Sequence, residues 1–117
     1  MYLLDLNAIC PYARARDFGY MVTNLAKFME RDIEKYLTAE VGKKGGLCVK
    51  FPPLFFRGFP DRVVLMPGGH TVFVETKAPG KTARAIQQRV HEKLRGLGFR
   101  VEVLDSRESI TDFIRTV

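Results

Sequence analysis

The chain has 117 residues, one domain's worth, and its 46% hydrophobic content suits a globular protein that buries a core without disulfides or structural metal. Cys10 and Cys48 lie far apart with no metal-type spacing, which excludes a disulfide framework and a zinc site, and no apolar run approaches membrane-spanning length. The net charge of +6 is localised: residues 77–100 hold Lys77, Lys81, Arg84, Arg89, Lys93, Arg95 and Arg100 against Glu92 alone, a patch that fits nucleic acid or, equally, a solvated basic helix.

Met1 to Cys10 is apolar but lacks the basic start and full hydrophobic stretch of a signal peptide, so a reduced cytoplasmic protein is expected. Residues 1–28 read as an extension or an added packing element, in which Asp17 to Phe28 can form a helix. From Met29 the pattern sharpens. Met29 to Val41 reads as a helix on the spacing of Ile33, Leu37 and Val41, stopped by Lys43-Lys44-Gly45-Gly46. Leu47 to Phe51 reads as a strand, and 52–60 as a loop rich in proline and phenylalanine.

Arg62 to Met66 and Thr71 to Thr76 are short β-branched runs, and Pro67-Gly68-Gly69-His70 between them predicts a hairpin. Thr82 is the expected cap of a helix running to Leu97 and stopped by Gly98. On it Ala83, Gln87, Val90, Leu94 and Leu97 make one inward stripe. Arg100 to Leu104 reads as a strand, and Ser106 caps a last helix, Arg107 to Arg115.

The chemistry gathers in the hairpin. Glu75 and Lys77 are two apart on a strand and share a face. Asp61 lies where the first hairpin strand begins and Glu75 where the second ends, so antiparallel pairing brings them together. A strict register around a four-residue turn sets Asp61 opposite Thr76, so a joint site requires a bulge or kink near Pro60. Two carboxylates at a strand end can hold Mg²⁺ or Mn²⁺, which polarises a phosphoryl oxygen and makes water acidic enough to attack near neutral pH. A lysine beside them can orient that water and offset transition-state charge.

Gly58-Phe59-Pro60-Asp61-Arg62, then Val72-Phe73-Val74-Glu75-Thr76-Lys77, then Gln87 on the next helix, resembles the virus-type replication-repair nuclease (VRR-NUC) family of the PD-(D/E)XK nuclease superfamily, over roughly Met29 to Ser109. It looks most like the compact stand-alone phage and bacterial versions. The resemblance implies an α/β, restriction-endonuclease-like core at 29–117, with a mixed sheet of about four strands flanked by helices. It implies that Asp61, Glu75 and the Thr76 carbonyl ligate the metal, that Lys77 handles the water, and that Gln87, with Gln88 as the fallback, is the family's glutamine. The family's first-helix glutamate maps best onto Glu30, followed by Ile33, with Glu34 and Glu40 as competitors.

His70 reads as a solvated turn residue, His91 as a candidate phosphate ligand and Lys50 as a weaker neighbour of the site. Lys81, Arg84 and Arg89 are the residues expected to bind the DNA backbone. Phe51, Phe55, Phe56 and Phe59 are expected to form core, a dimer surface or a wedge against bases. The leading expectation is a Mg²⁺- or Mn²⁺-dependent, structure-selective DNA endonuclease resembling four-way (Holliday) junction resolvases that act as homodimers. The rivals are a flap or single-strand nuclease with a partner helicase, and a non-catalytic DNA-binding module.

Overall fold

The computed structural model describes residues 18–52 and 56–117, and the first 17 residues of the expected extension lie outside that range. Among the described residues three helices and four strands follow in the order α1 (Phe18–Lys43), β1 (Leu47–Lys50), β2 (Arg62–Met66), β3 (His70–Thr76), α2 (Ala85–Gly96), β4 (Arg100–Leu104) and α3 (Arg107–Arg115). The sheet order is β1-β2-β3-β4, antiparallel across the first two pairs and parallel between β3 and β4. Parallel neighbours need a crossover, and α2 supplies it. This is the expected mixed four-strand sheet flanked by helices.

One face of the sheet buries the core. Ile33, Leu37 and Val41 of α1 and Ile110, Phe113 and Ile114 of α3 close over Val64, Met66, Val72, Val74 and Leu104. The four-residue spacing on α1 is what puts its three side chains on one stripe. α3 starts as expected: Ser106 Oγ accepts from the Ser109 N–H at 3.0 Å. The other face carries α2, which packs against β4. There Phe51, Phe59, Phe73 and Phe99 form a chain of edge-to-face rings, with centroids 5.2–5.4 Å apart.

Three details differ from expectation. α1 is one helix through Met29, because nothing between Phe18 and Lys43 is a proline or glycine that would break it except Gly19 and Gly42 at its ends. α2 starts at Ala85 with Arg84 as its N-cap, so Thr82 lies outside it. Its stripe is also rotated: His91 and Leu94 are the buried residues, whereas Leu97 is 67% exposed. Among the described residues no helix is long and apolar enough to cross a membrane.

The hairpin turn is one residue shorter than expected. Met66 pairs with His70, and Gly68 and Gly69 occupy the left-handed region at φ 89° and 81°, which glycine adopts without steric cost. The register therefore moves by one. Continuing it one step beyond Arg62↔Val74 sets Asp61 opposite Glu75, and no bulge is needed.

Candidate active site

The loop before β2 delivers Asp61. Gly58 sits at φ 83°, and a Cβ there would meet the Ile86 carbonyl oxygen at 2.8 Å, so only glycine lets the loop pack on the first turn of α2. Pro60 is buried, and the Phe51 N–H donates to the Asp61 carbonyl at 2.8 Å, extending the β1–β2 ladder. The Asp61 carboxylate is then held twice by one residue: Oδ1 accepts from the Thr76 N–H at 3.1 Å and Oδ2 from Thr76 Oγ1 at 2.6 Å. Burial raises the Asp61 pKa, while the two Thr76 bonds oppose that shift.

Glu75 is 4% exposed. Its Oε1 receives the Gln87 amide at 3.0 Å and lies 3.3 Å from Lys77 Nζ. Its Oε2 is buried with no hydrogen-bond partner. Burial first, and then the charge of Asp61, push the Glu75 carboxyl up to about 7 against the pull of Lys77. Gln87 is fixed at its other end, where its carbonyl oxygen accepts from the Arg84 N–H at 2.8 Å. It both caps the helix start and touches the acidic centre. Gln88 instead donates to the Ala83 carbonyl and stays exposed.

Helix α1 brings two more acids. One carboxylate oxygen from each of Glu30, Glu34 and Asp61 lies within 4.8 Å of the others. Burial and the charges of Glu34 and Asp61 raise the Glu30 pKa. Glu34 is partnered: Arg62 Nη2 donates to its Oε2 at 2.9 Å, and Lys50 Nζ stands 3.6 Å from the same oxygen. Glu40 pairs with Lys43 on the surface, outside the cluster. Glu30, Glu34, Asp61, Glu75, Lys77 and Gln87 line a cleft of about 710 Å³, with Lys50, Arg57 and Arg84 as further cations on its walls.

The expected site residues Asp61, Glu75, Lys77, Gln87 and Glu30 thus meet in one cleft. Thr76 is fully buried behind it and holds Asp61. Of the basic residues expected to bind DNA, Arg84 lines the cleft and Arg89 a neighbouring groove, while Lys81 is exposed in the turn before α2. His91 corrects its expectation: it is 2% exposed and cannot reach a phosphate on the surface. Burial, then the charges of Arg95 and Lys77, lower its pKa. Phe51 and Phe59 turn inward into the ring chain, Phe56 is 56% exposed, and Phe55 lies outside the described residues. Arg62 and Arg57 are not among the residues that sequence reasoning singles out. The only signal for Arg62 is a charge at a position where β2 alternation calls for a core side chain.

The donor set fits a hard divalent cation. Glu30, Glu34 and Asp61 converge through oxygen alone, while Glu75 stands outside that trio on the same cleft and contributes a buried Oε2 that a cation would satisfy.

No family model matches the chain. The protein "Putative nuclease p44" of Acyrthosiphon pisum secondary endosymbiont phage 1 is 48% identical over 79 residues, covering 68% of this chain and 85% of that protein. A solved structure described as "VRR_NUC domain" superposes with a TM-score of 0.70 at 31% identity, covering 74% of this chain and 95% of that one.

Proposed function

This chain belongs to the VRR-NUC family of nucleases, with its restriction-endonuclease-like α/β fold, and we propose that it is a Mg²⁺- or Mn²⁺-dependent endonuclease that hydrolyses phosphodiester bonds in branched DNA. The observation that carries this reading is the buried, half-orphaned Glu75 carboxylate beside Asp61 and Lys77. A buried charge of that kind is costly for a module that only binds.

Asp61 and Glu75 hold the metal in this reading, with the Thr76 carbonyl as a further oxygen and Glu30 completing the acidic wall. A divalent cation held by these residues would supply polarisation of the scissile phosphate and a water acidic enough to attack near neutral pH. Lys77 orients the attacking water and offsets charge on the phosphate in the transition state. Gln87 keeps Glu75 in place. Lys50, Arg57 and Arg84 on the cleft, Arg89 in the adjoining groove and Lys81 in the exposed turn before α2 bind the backbone.

The favoured substrate is the four-way junction. Two symmetric cuts need two sites, and one chain offers one, so this reading includes a homodimer. Exposed Leu47, Val49 and Leu65 beside the edge strand β1 are the surface for it, since Phe51 and Phe59 of the phenylalanine loop are used inside the fold. The nuclease domain expected at residues 29–117 shares the unbroken helix α1 with the segment before it, and in this reading it works in the cytoplasm of a bacterium or phage-infected host. A second reading, a flap or single-strand nuclease with a helicase partner, is favoured by the apolar groove that continues the cleft. A cleavage panel of labelled duplex, flap, splayed-arm and four-way-junction DNA, with and without Mn²⁺, separates them. Paired symmetric cuts in the junction support the first reading, cuts in the flap alone support the second, and cleavage of nothing removes both.

A further inference from the structure

A second concavity of about 340 Å³ opens beside the cleft, within the size range of small-ligand sites. Phe56, Phe59 and Ile86 line both, so the groove is a continuation of the cleft. Its floor is almost wholly apolar, yet the described residues leave it open: Phe56 is 56% exposed and Leu97, at its far end, 67%. Arg89 and Lys93 stand on its rim, and the described residues that line it include no acid.

We propose that this groove is a subsite for an unpaired DNA strand leaving the cleavage site, with bases stacked on Phe56, Ile86 and Leu97 and phosphates held by Arg89 and Lys93. The proposal rests on the nuclease reading in its flap or single-strand form, since the arms of a four-way junction are paired, and names the substrate feature recognised next to the scissile bond. Base faces are available only where DNA is unpaired, and an apolar floor with a cationic rim is the arrangement that binds single strands. Phe56 is a pre-set platform: Phe59 holds its ring edge-on at 5.7 Å, and Phe73 holds Phe59 at 5.4 Å. Little freedom remains to be lost when a base stacks on it. A second copy of the chain fits the groove less well. A two-fold interface centred there brings Arg89 and Lys93 of both copies together with no acid to pair them.

The test measures binding by fluorescence anisotropy, without divalent ions so that no cleavage occurs. Two splayed-arm DNAs are compared, one with thymidine arms and one with abasic arms that keep the phosphates and lose the bases. The full-length wild type should bind the thymidine arms roughly fivefold or more tightly. Phe56→Ala with Leu97→Ala should bind both DNAs alike. Should the pair fail to fold by circular dichroism, Leu97→Ala alone, on an exposed side chain, should still narrow the gap. Equal binding of both arms by the wild type overturns the proposal, as does an undiminished preference in the folded variants. A dimer that Leu97→Asp splits while the preference persists assigns the groove to a second copy and also overturns it. Cleavage of no DNA by the wild type with Mn²⁺ overturns the nuclease reading instead and leaves the binding comparison intact.

Discussion

Gln87 ties the start of α2 to the acidic centre: its amide donates to Glu75 Oε1 at 3.0 Å while its carbonyl accepts from the Arg84 N–H at 2.8 Å. A side chain that orients a ligand from behind is worth about ten- to a hundredfold in metal affinity or activity. Gln87→Ala should therefore raise the Mn²⁺ concentration for half-maximal cleavage by about that factor. The missing hydrogen bond at the helix start should lower stability by only about 1 kcal/mol. Titration of activity with Mn²⁺ beside a thermal melt checks both. A large stability loss with an unchanged metal requirement would make Gln87 a helix cap alone.

Glu75 links the site to stability through pH. Its carboxyl is pushed from the ordinary 4.5 up to about 7 in the folded chain. Below pH 4.5 the group is protonated folded or unfolded. Between 4.5 and 7 the folded chain holds a proton that the unfolded chain has released, so stability falls as pH rises through that window. Above 7 the cost is complete, on the order of 3 kcal/mol. Glu75→Gln should thus melt higher than wild type at pH 8 without divalent ions, with a smaller gap at pH 5, while losing cleavage. Calorimetry at the two pH values measures this. Equal gaps would show that Glu75 is not the titrating group.

Arg62 and Glu34 form the buried pair that joins β2 to α1, 2.9 Å apart. Removing Arg62 leaves Glu34 only the longer contact with the half-exposed Lys50 at 3.6 Å, at a cost of up to about 3 kcal/mol. Arg62→Met should destabilise by about that much, since Glu34 is then left beside Glu30 and Asp61. Adding Glu34→Gln should recover most of the loss, and the non-additivity of the cycle measures the coupling. Denaturant melts of the two single variants and the double variant suffice. Additive losses would mean the pair contributes nothing as a pair.

Much of this was legible because the side chains concerned obey local rules. Glu75 and Lys77, at the end of β3 and just past it, meet at 3.3 Å, Ser106 caps α3, and β2 and β4 lie where their β-branched runs predict. The misses have physical causes. Whether His70 belongs to the turn or the strand depends on Gly68 and Gly69 both taking positive φ, which composition alone does not decide, and the whole register follows from it. The buried face of α2 is set by the sheet beneath it, which selects His91 and leaves Leu97 out. Arg62 is legible only once Glu34 is known to face it from a helix 28 positions away.

The basic side chains spread over two surfaces, Lys50, Arg57 and Arg84 on the cleft and Arg89 and Lys93 on the groove. Reversing the charges of Lys81, Arg84 and Arg89 should weaken binding to all sequences alike. It should also flatten the dependence of log affinity on log salt by about 0.9 for each phosphate no longer neutralised. Binding isotherms at several salt concentrations give the slope. A triple variant with an unchanged slope would move the DNA off this face.

Hydrolysis at the meeting point of Asp61, Glu75 and Lys77 is tested most directly by Lys77→Ala. Lys77 Nζ lies 3.3 Å from Glu75 Oε1, close enough to serve the proposed chemical step, while the proposed DNA contacts draw on the wider set of cations that line the cleft. Single-turnover cleavage of branched DNA with saturating Mn²⁺ should slow on the order of a hundredfold or more in Lys77→Ala. The affinity for the same DNA, measured without divalent ions, should stay within about twofold of wild type, since the variant gives up at most a single cation among many that face the phosphates. A variant that binds and cuts at the wild-type rate would contradict this assignment.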